Sequence, residues 1–206
     1  EMVERAAELG LDAVAITDLM SVGGVVRAHQ RLKEIAKEEV ARRAPNVTGA
    51  DVIAHARRIR SETRVDPSSR MREPPPETAE PAPEAWRSIP RLIHGARLRF
   101  EDAGAELVVL VPDRAGWGAL CRLLTLGKRR AEKGECRLFL DDLEAWGAGL
   151  PGILLPPDPL DPASPRPDSG EVRRMAAALG SLDLAATPRY DGRDAARFEA
   201  LSAEAG

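Results

Sequence analysis

The order L-D-A-V-A-I-T-D-L-M-S-V-G-G-V-V-R-A-H, residues 11 to 29, decides how the rest of the chain is read. Leu11 to Thr17 is an almost unbroken apolar, β-tolerant run. Asp18 follows, and then Ser21, Gly23 and Gly24 lead into a helical pattern. A strand covered by helices on both faces is apolar throughout rather than alternating. The run therefore predicts a buried parallel strand, a turn and a helix. Asp18 falls at the carboxyl end of that strand, where α/β folds place their chemistry. Its plainer reading is a carboxylate capping the following turn or helix.

Upstream, Met2, Val3, Ala6, Ala7 and Leu9 give a helical pattern closed by Gly10. It begins at Glu1 with no cap ahead of it, so the chain is expected to be cut from something longer. Downstream, residues 22–37 form an amphipathic pattern, apolar at Val25, Val26, Ala28, Leu32, Ile35 and Ala36 and charged or polar between them. The next strand is delayed. Residues 39–89 read as an insertion, with a short helical pattern over 49–62 and a Pro-rich tract over 64–88 that includes Pro67, Pro74, Pro75, Pro76, Pro81 and Pro83. Such a tract cannot bury enough apolar surface to offset its ordering entropy and is expected to be disordered.

Arg91–Phe100 and Glu106–Val111 then read as two strands joined in a hairpin by the turn Glu101–Gly104. Asp113–Ala131 is helical, with Trp117, Leu120, Cys121, Leu123, Leu124 and Leu126 inward and Lys128, Arg129 and Arg130 in the last turn, where cations suit the helix dipole. Leu138–Trp146 predicts a short strand or extended piece followed by a helical turn, and Gly152–Leu155 a strand. Residues 156–168 are rich in Pro and Asp and read as a linker. A helix over Glu171–Leu179, a strand over Leu182–Ala186 and a helix over Asp194–Ala205 follow. Strands alternating with helices imply an α/β protein built on a parallel sheet or a barrel.

Hydrophobic residues make up 43% of the 206 and suit a soluble domain. Aromatics are 3%, which disfavours extended base-stacking platforms, and the net charge of −3 means that any contact with nucleic acid has to be local. Cys121 and Cys136 lie without a neighbouring His, a spacing that fits neither a zinc site nor a disulfide framework, so a reducing cytoplasm is the expected setting. No apolar run is long enough for a membrane helix.

M-V-E-R-A-A-E-L-G-L-D-A-V-A-I-T-D (residues 2 to 18), S-V-G-G-V-V-R-A-H (21 to 29) and L-V-V-L-V-P-D-R-A-G-W-G-A-L-C-R-L-L-T-L-G-K-R-R-A-E-K-G-E-C-R-L (107 to 138) follow one another in fixed order. This succession resembles the PHP domain of bacterial C-family DNA polymerases, its error-prone branch above all. The similarity covers roughly residues 1–38 and 90–155. It implies an incomplete, PHP-type distorted (β/α)7 barrel with parallel strands. Residues 1–38 and 90–155 would be its first two parts and 169–206 a truncated C-terminal part. The insertion at 39–89 departs from the short connection of the family.

The resemblance also implies a cluster of His, Asp and Glu at the strand ends, holding metal ions that activate water against a phosphoester. Several hard ligands must converge for this, because close cations have to be neutralised. The family's His-x-His pair would precede this chain, and its Asp-x-His motif would fall beyond Gly206. Leu19 stands after Thr17-Asp18 where the family commonly has a polar side chain, and Arg97 stands after Gly95-Ala96 where it has a glutamate. An arginine adds repulsion where neutralisation is required. No metal and no catalytic residue are therefore expected in this chain, with Asp18, His94 and Glu106 as vestigial candidates. Read plainly, Asp18 is a cap, His94 a satisfied strand histidine and Glu106 an exposed strand start, while His29 and His55 face helix surfaces. Arg122, Lys128, Arg129, Arg130 and Lys133 form the one basic cluster that could neutralise phosphates; its plainer reading is a solvated helix end.

By resemblance the chain is the N-terminal portion of an error-prone, translesion DNA polymerase, a scaffold with a degenerate metal site. Its partners would be the remainder of the polymerase chain and DNA, with no membrane. No cofactor is expected here; Mg2+ and dNTPs would serve the full-length polymerase. The alternatives are a metal-dependent phosphoesterase or 3'-5' proofreading nuclease on the same fold, and a non-catalytic interaction module. A barrel lacking its end strands would expose sheet edges, so marginal stability is expected.

Overall fold

A computed structural model describes residues 1–43, 89–161 and 168–205. In chain order the described elements are α1 Met2–Glu8, β1 Ala13–Ile16, α2 Gly23–Arg43, β2 Arg91–Leu98, β3 Glu106–Leu110, α3 Arg114–Arg130, α4 Leu140–Trp146, β4 Pro151–Leu155, α5 Ser169–Ala178, β5 Ser181–Leu184 and α6 Asp194–Ala205. The chain divides into two units, one of residues 1–14 and 27–92, the other of 15–26 and 93–206.

In the first unit, α1 buries Val3 and Ala6, and α2 buries Ala28 and Leu32. The 3- and 4-residue spacings of these small and aliphatic side chains put each pair on one helix face. The polar sides are fastened by Arg31, whose guanidinium reaches Glu4 at 2.7 Å, Glu34 at 3.0 Å and Glu38 at 3.2 Å. The N–H of Arg91 donates to the Asp12 carbonyl at 2.9 Å. The helical pattern expected over 49–62 and the Pro-rich tract over 64–88 lie outside the described residues.

The second unit holds the main core. The strands follow the order β1-β2-β3-β4-β5. Immediately after β1, Leu19 bridges Arg97 in parallel, with the Met20 N–H donating to the Arg97 carbonyl at 2.8 Å and the Arg97 N–H to the Asp18 carbonyl at 3.0 Å. β2 pairs antiparallel with β3, β3 antiparallel with β4, and β4 parallel with β5. The register sets Leu98 opposite Leu107 and Leu107 opposite Leu154, three buried side chains in one row. With Ala96 and Val109 they join Leu120, Leu123, Leu124, Leu143 and Met175, from α3, α4 and α5, in the hydrophobic cluster. The alternate residues, Arg97, Val108, Ile153 and Asp183, make a second row on the other face.

Two expectations are corrected here. The strands are not all parallel, and among the described residues they form an open mixed sheet rather than a closed barrel. The hairpin expected at the turn Glu101–Gly104 forms and sets β2 against β3; the antiparallel joint that the sequence reading did not contain is that of β3 with β4. Of the stretch 156–168, residues 156–161 and 168 are described. Residues 162–167 lie outside the described part, but Asp158 is 7% exposed and bound by Arg197. Smaller shifts occur at the ends: α3 starts after its cap Asp113, whose Oδ1 accepts from the Gly116 N–H at 2.8 Å, and Leu138–Trp146 supplies α4 without a strand.

Candidate functional site

The sequence singled out Asp18, His94 and Glu106, and the structure gives each a separate occupation. The chain leaves β1 at Ile16 and turns into α2 at Gly23, so the first N–H groups of the helix need acceptors. Asp18 supplies one: its Oδ2 accepts from the Gly24 N–H at 2.6 Å. A Cβ at position 24 would stand 2.5 Å from that oxygen, so a side chain there would have to displace the carboxylate.

His94 and Glu106 lie on opposite faces of the sheet. His94 has the parity of Ala96 and Leu98, toward the helices, and its ring meets Trp117 of α3 edge-on with centroids 5.6 Å apart. Glu106 lies in the neighbouring strand, where the register would carry it opposite Arg99, on the face that also holds Arg97. Its carboxylate is held by both arginines: Arg97 Nε stands 2.8 Å from Oε2, within ion-pair range but off the angle a hydrogen bond needs, and Arg99 Nε donates to Oε1. A metal in place of those guanidiniums would have to displace two cations and still lack the histidine. These residues do not fit a multi-metal cluster, and no group of three or more His, Cys, Asp or Glu able to hold a metal occurs among the described residues.

The basic cluster separates into two kinds of residue. Arg130 is structural: its guanidinium binds the buried Asp142 through two bonds, of 2.5 and 3.0 Å, and lies over the Phe139 ring at 5.2 Å. The Asp142 carboxyl also accepts from the Phe139 N–H at 2.9 Å, capping α4. The Arg130 bond, with the backbone bond assisting, holds this carboxyl below the usual aspartate range against the opposing effect of burial. Lys128, Arg129 and Lys133 are exposed. Arg122 lies 5.2 Å over the ring of Trp146, and both side a recess of about 320 Å³ lined by Cys121, Arg122, Thr125, Leu126, Arg129 and Trp146. Burial raises the Cys121 thiol, which keeps it neutral at the floor of this basic recess.

The sequence reading did not single out Asp142, Trp146 or Arg197. Asp142 sits in an acidic first turn that looks like ordinary helix patterning, and Trp146 looks like core. Arg197 is 1% exposed and ringed by Asp158 at 3.0 Å, Asp191 at 2.9 Å and Asp194. Its one sequence signal is the repeated Asp in D-G-R-D, residues 191–194, whose two aspartates stand six and three positions before it.

Fold and site together define a mixed α/β chain with a basic recess between α3 and α4. Over 98% of its length it is similar to proteins named error-prone DNA polymerase: 47% identical to that of Ruegeria pomeroyi, 31% to that of Rhodopseudomonas palustris and 33% to that of Aromatoleum aromaticum. The chain spans only 14–16% of the length of those relatives. No family model matches it, and no solved structure does. Among the described residues, no helix is long and apolar enough to cross a membrane.

Proposed function

We propose that this chain is a portion of an error-prone DNA polymerase and serves there as a folded scaffold, with nucleotidyl transfer performed by residues elsewhere in the longer protein. The observation that carries this reading is similarity along 98% of the chain to one stretch of much longer polymerases. Kinship with PHP domains, lesion bypass, a cytoplasmic setting, and dNTPs, Mg2+ and DNA as partners of the longer protein belong to the same proposal. A phosphoesterase reading is disfavoured by the separation of His94 and Glu106 to opposite faces and by Arg97 beside the latter.

The test compares the 206-residue chain with the longer protein that contains its sequence, on a primed template with dNTPs and Mg2+. Extension by the longer protein alone is the expected result. The proposal fails if the longer protein adds no nucleotide. It fails in its scaffold part if the chain alone, loaded with Zn2+ or Mn2+, hydrolyses a phosphoester and loses that activity in Asp18→Asn.

A further inference from the structure

We infer that the recess between α3 and α4 is a docking site for single-stranded nucleic acid, with Arg129 taking a backbone phosphate and Trp146 and Arg122 taking the adjacent base. The inference rests on the polymerase reading for its biological setting but on the recess for its chemistry. Arg122, Thr125, Leu126 and Arg129 recur at helical spacing and so share one face of α3, opposite the buried Leu120, Leu123 and Leu124. The last residue of α4, Trp146, closes the recess and stays 37% exposed. The lining carries two guanidiniums, a hydroxyl and an indole, and no carboxylate.

The dipole of α3 accounts for cations in its last turn, Lys128 to Arg130, but not for Arg122, two turns earlier. Neither Arg122 nor Arg129 makes an ion pair with a described carboxylate, whereas the neighbouring Arg130 is fully engaged by Asp142. Exposed arginines commonly collect such partners, as Arg174 does with Asp141 and Glu144 on the adjacent surface. A planar indole beside a planar guanidinium offers a stacking surface to any base, and the free guanidinium offers a two-pronged donor to phosphate. The volume is at the lower end for small-ligand pockets, about 300 Å³. It suits one nucleotide of a longer strand, the local contact that a net charge of −3 allows.

The test measures anisotropy of a short fluorescein-labelled oligothymidylate with the complete chain at salt concentrations from about 50 to 200 mM. Arg129→Ala is expected to weaken binding and reduce the salt slope by about 1, the signature of one lost phosphate contact. Trp146→Ala is expected to weaken binding about tenfold with the slope unchanged, as loss of stacking requires. Arg27→Ala, which removes an equal charge from an exposed position on α2, is the control and leaves binding as it was. Circular dichroism melts establish that each variant is folded; if Trp146→Ala is not, Trp146→Leu replaces it. The inference is overturned if the chain does not bind the oligonucleotide, if Arg27→Ala weakens binding as much as Arg129→Ala, or if polyglutamate displaces the oligonucleotide and shows the same dependence on Arg129 and Trp146. That last result would assign the recess to an acidic protein segment. Primer extension by the longer protein carrying Arg129→Ala separates the two readings: extension without altered strand binding overturns the recess alone.

Discussion

Asp18 and Gly24 form a matched pair: the carboxylate sits where any side chain at position 24 would stand, and its oxygen satisfies the N–H that the glycine presents at 2.6 Å. The position of Asp18 at a strand end was legible from the apolar run before it. Its partner was not, because the capped N–H lies six residues away across a turn that residue patterning does not fold. The pair also yields a clean discrimination between capping and metal ligation. Asp18→Ala removes the acceptor and is expected to cost about 1 kcal/mol, the ordinary value of a helix cap. Asp18→Asn keeps an acceptor oxygen and is expected to retain most of that stability. Urea denaturation of the three proteins checks this. A ligand to a cation would behave otherwise: Asn would fail like Ala, and the loss would appear only with metal present.

α3 and the segment after it differ in how far their sequence declares their packing. The helix was visible nearly to its ends, because Leu120, Leu123 and Leu124 declare its buried side, while the capping role of Asp113 at its start was not read. Gly127 carries no local signal of its role. It is buried because the returning segment crosses α3 there, and a Cβ would meet Cys136 Sγ and Leu138 Cδ2 at 2.7 Å each. Arg130 was grouped with solvated cations, since nothing local marks Asp142, twelve positions on, as its buried partner. This pair makes stability depend on acid. The Asp142 carboxyl titrates lower in the fold than in the open chain, where an aspartate has a pKa of about 3.9. Its contribution is therefore complete above that range and disappears as pH falls through the lower, folded value. Asp142→Asn is expected to lower the thermal midpoint at neutral pH and to flatten the part of the stability curve below about pH 4. Melting followed by circular dichroism from neutral to acidic pH measures both. An unchanged acid limb would mean that other carboxylates carry it.

Over the whole molecule, charge pairing joins segments that composition does not mark as partners. Residues 156–168 look like a linker because Pro and Asp dominate them, yet Asp158 is buried and joined to Arg197, thirty-nine positions later. Sheet direction was legible where the chain turns back at once, as in the hairpin of β2 and β3, but not for β3 and β4, whose antiparallel sense is set by the longer connection through α3 and α4. Through Asp158, Arg197 ties α6 to the segment that follows β4. Its fork binds Asp158 and Asp191, it also meets Asp194, and those bonds hold the Asp191 carboxyl far below the aspartate range. A lysine keeps the charge but has one point of donation and no planar fork, so it cannot span three carboxylates. In Arg197→Lys, amide hydrogen exchange is accordingly expected to rise across residues 194–205, while β3 and β4, packed through Leu107 and Leu154, keep their protection. Exchange that stays slow in α6 would show that Leu201, buried at 4% exposure, holds the helix without the ion cluster. Exchange that accelerates equally in β3 would show that the cluster supports the whole core, in which case Asp158 belongs to the same cooperative unit as the sheet.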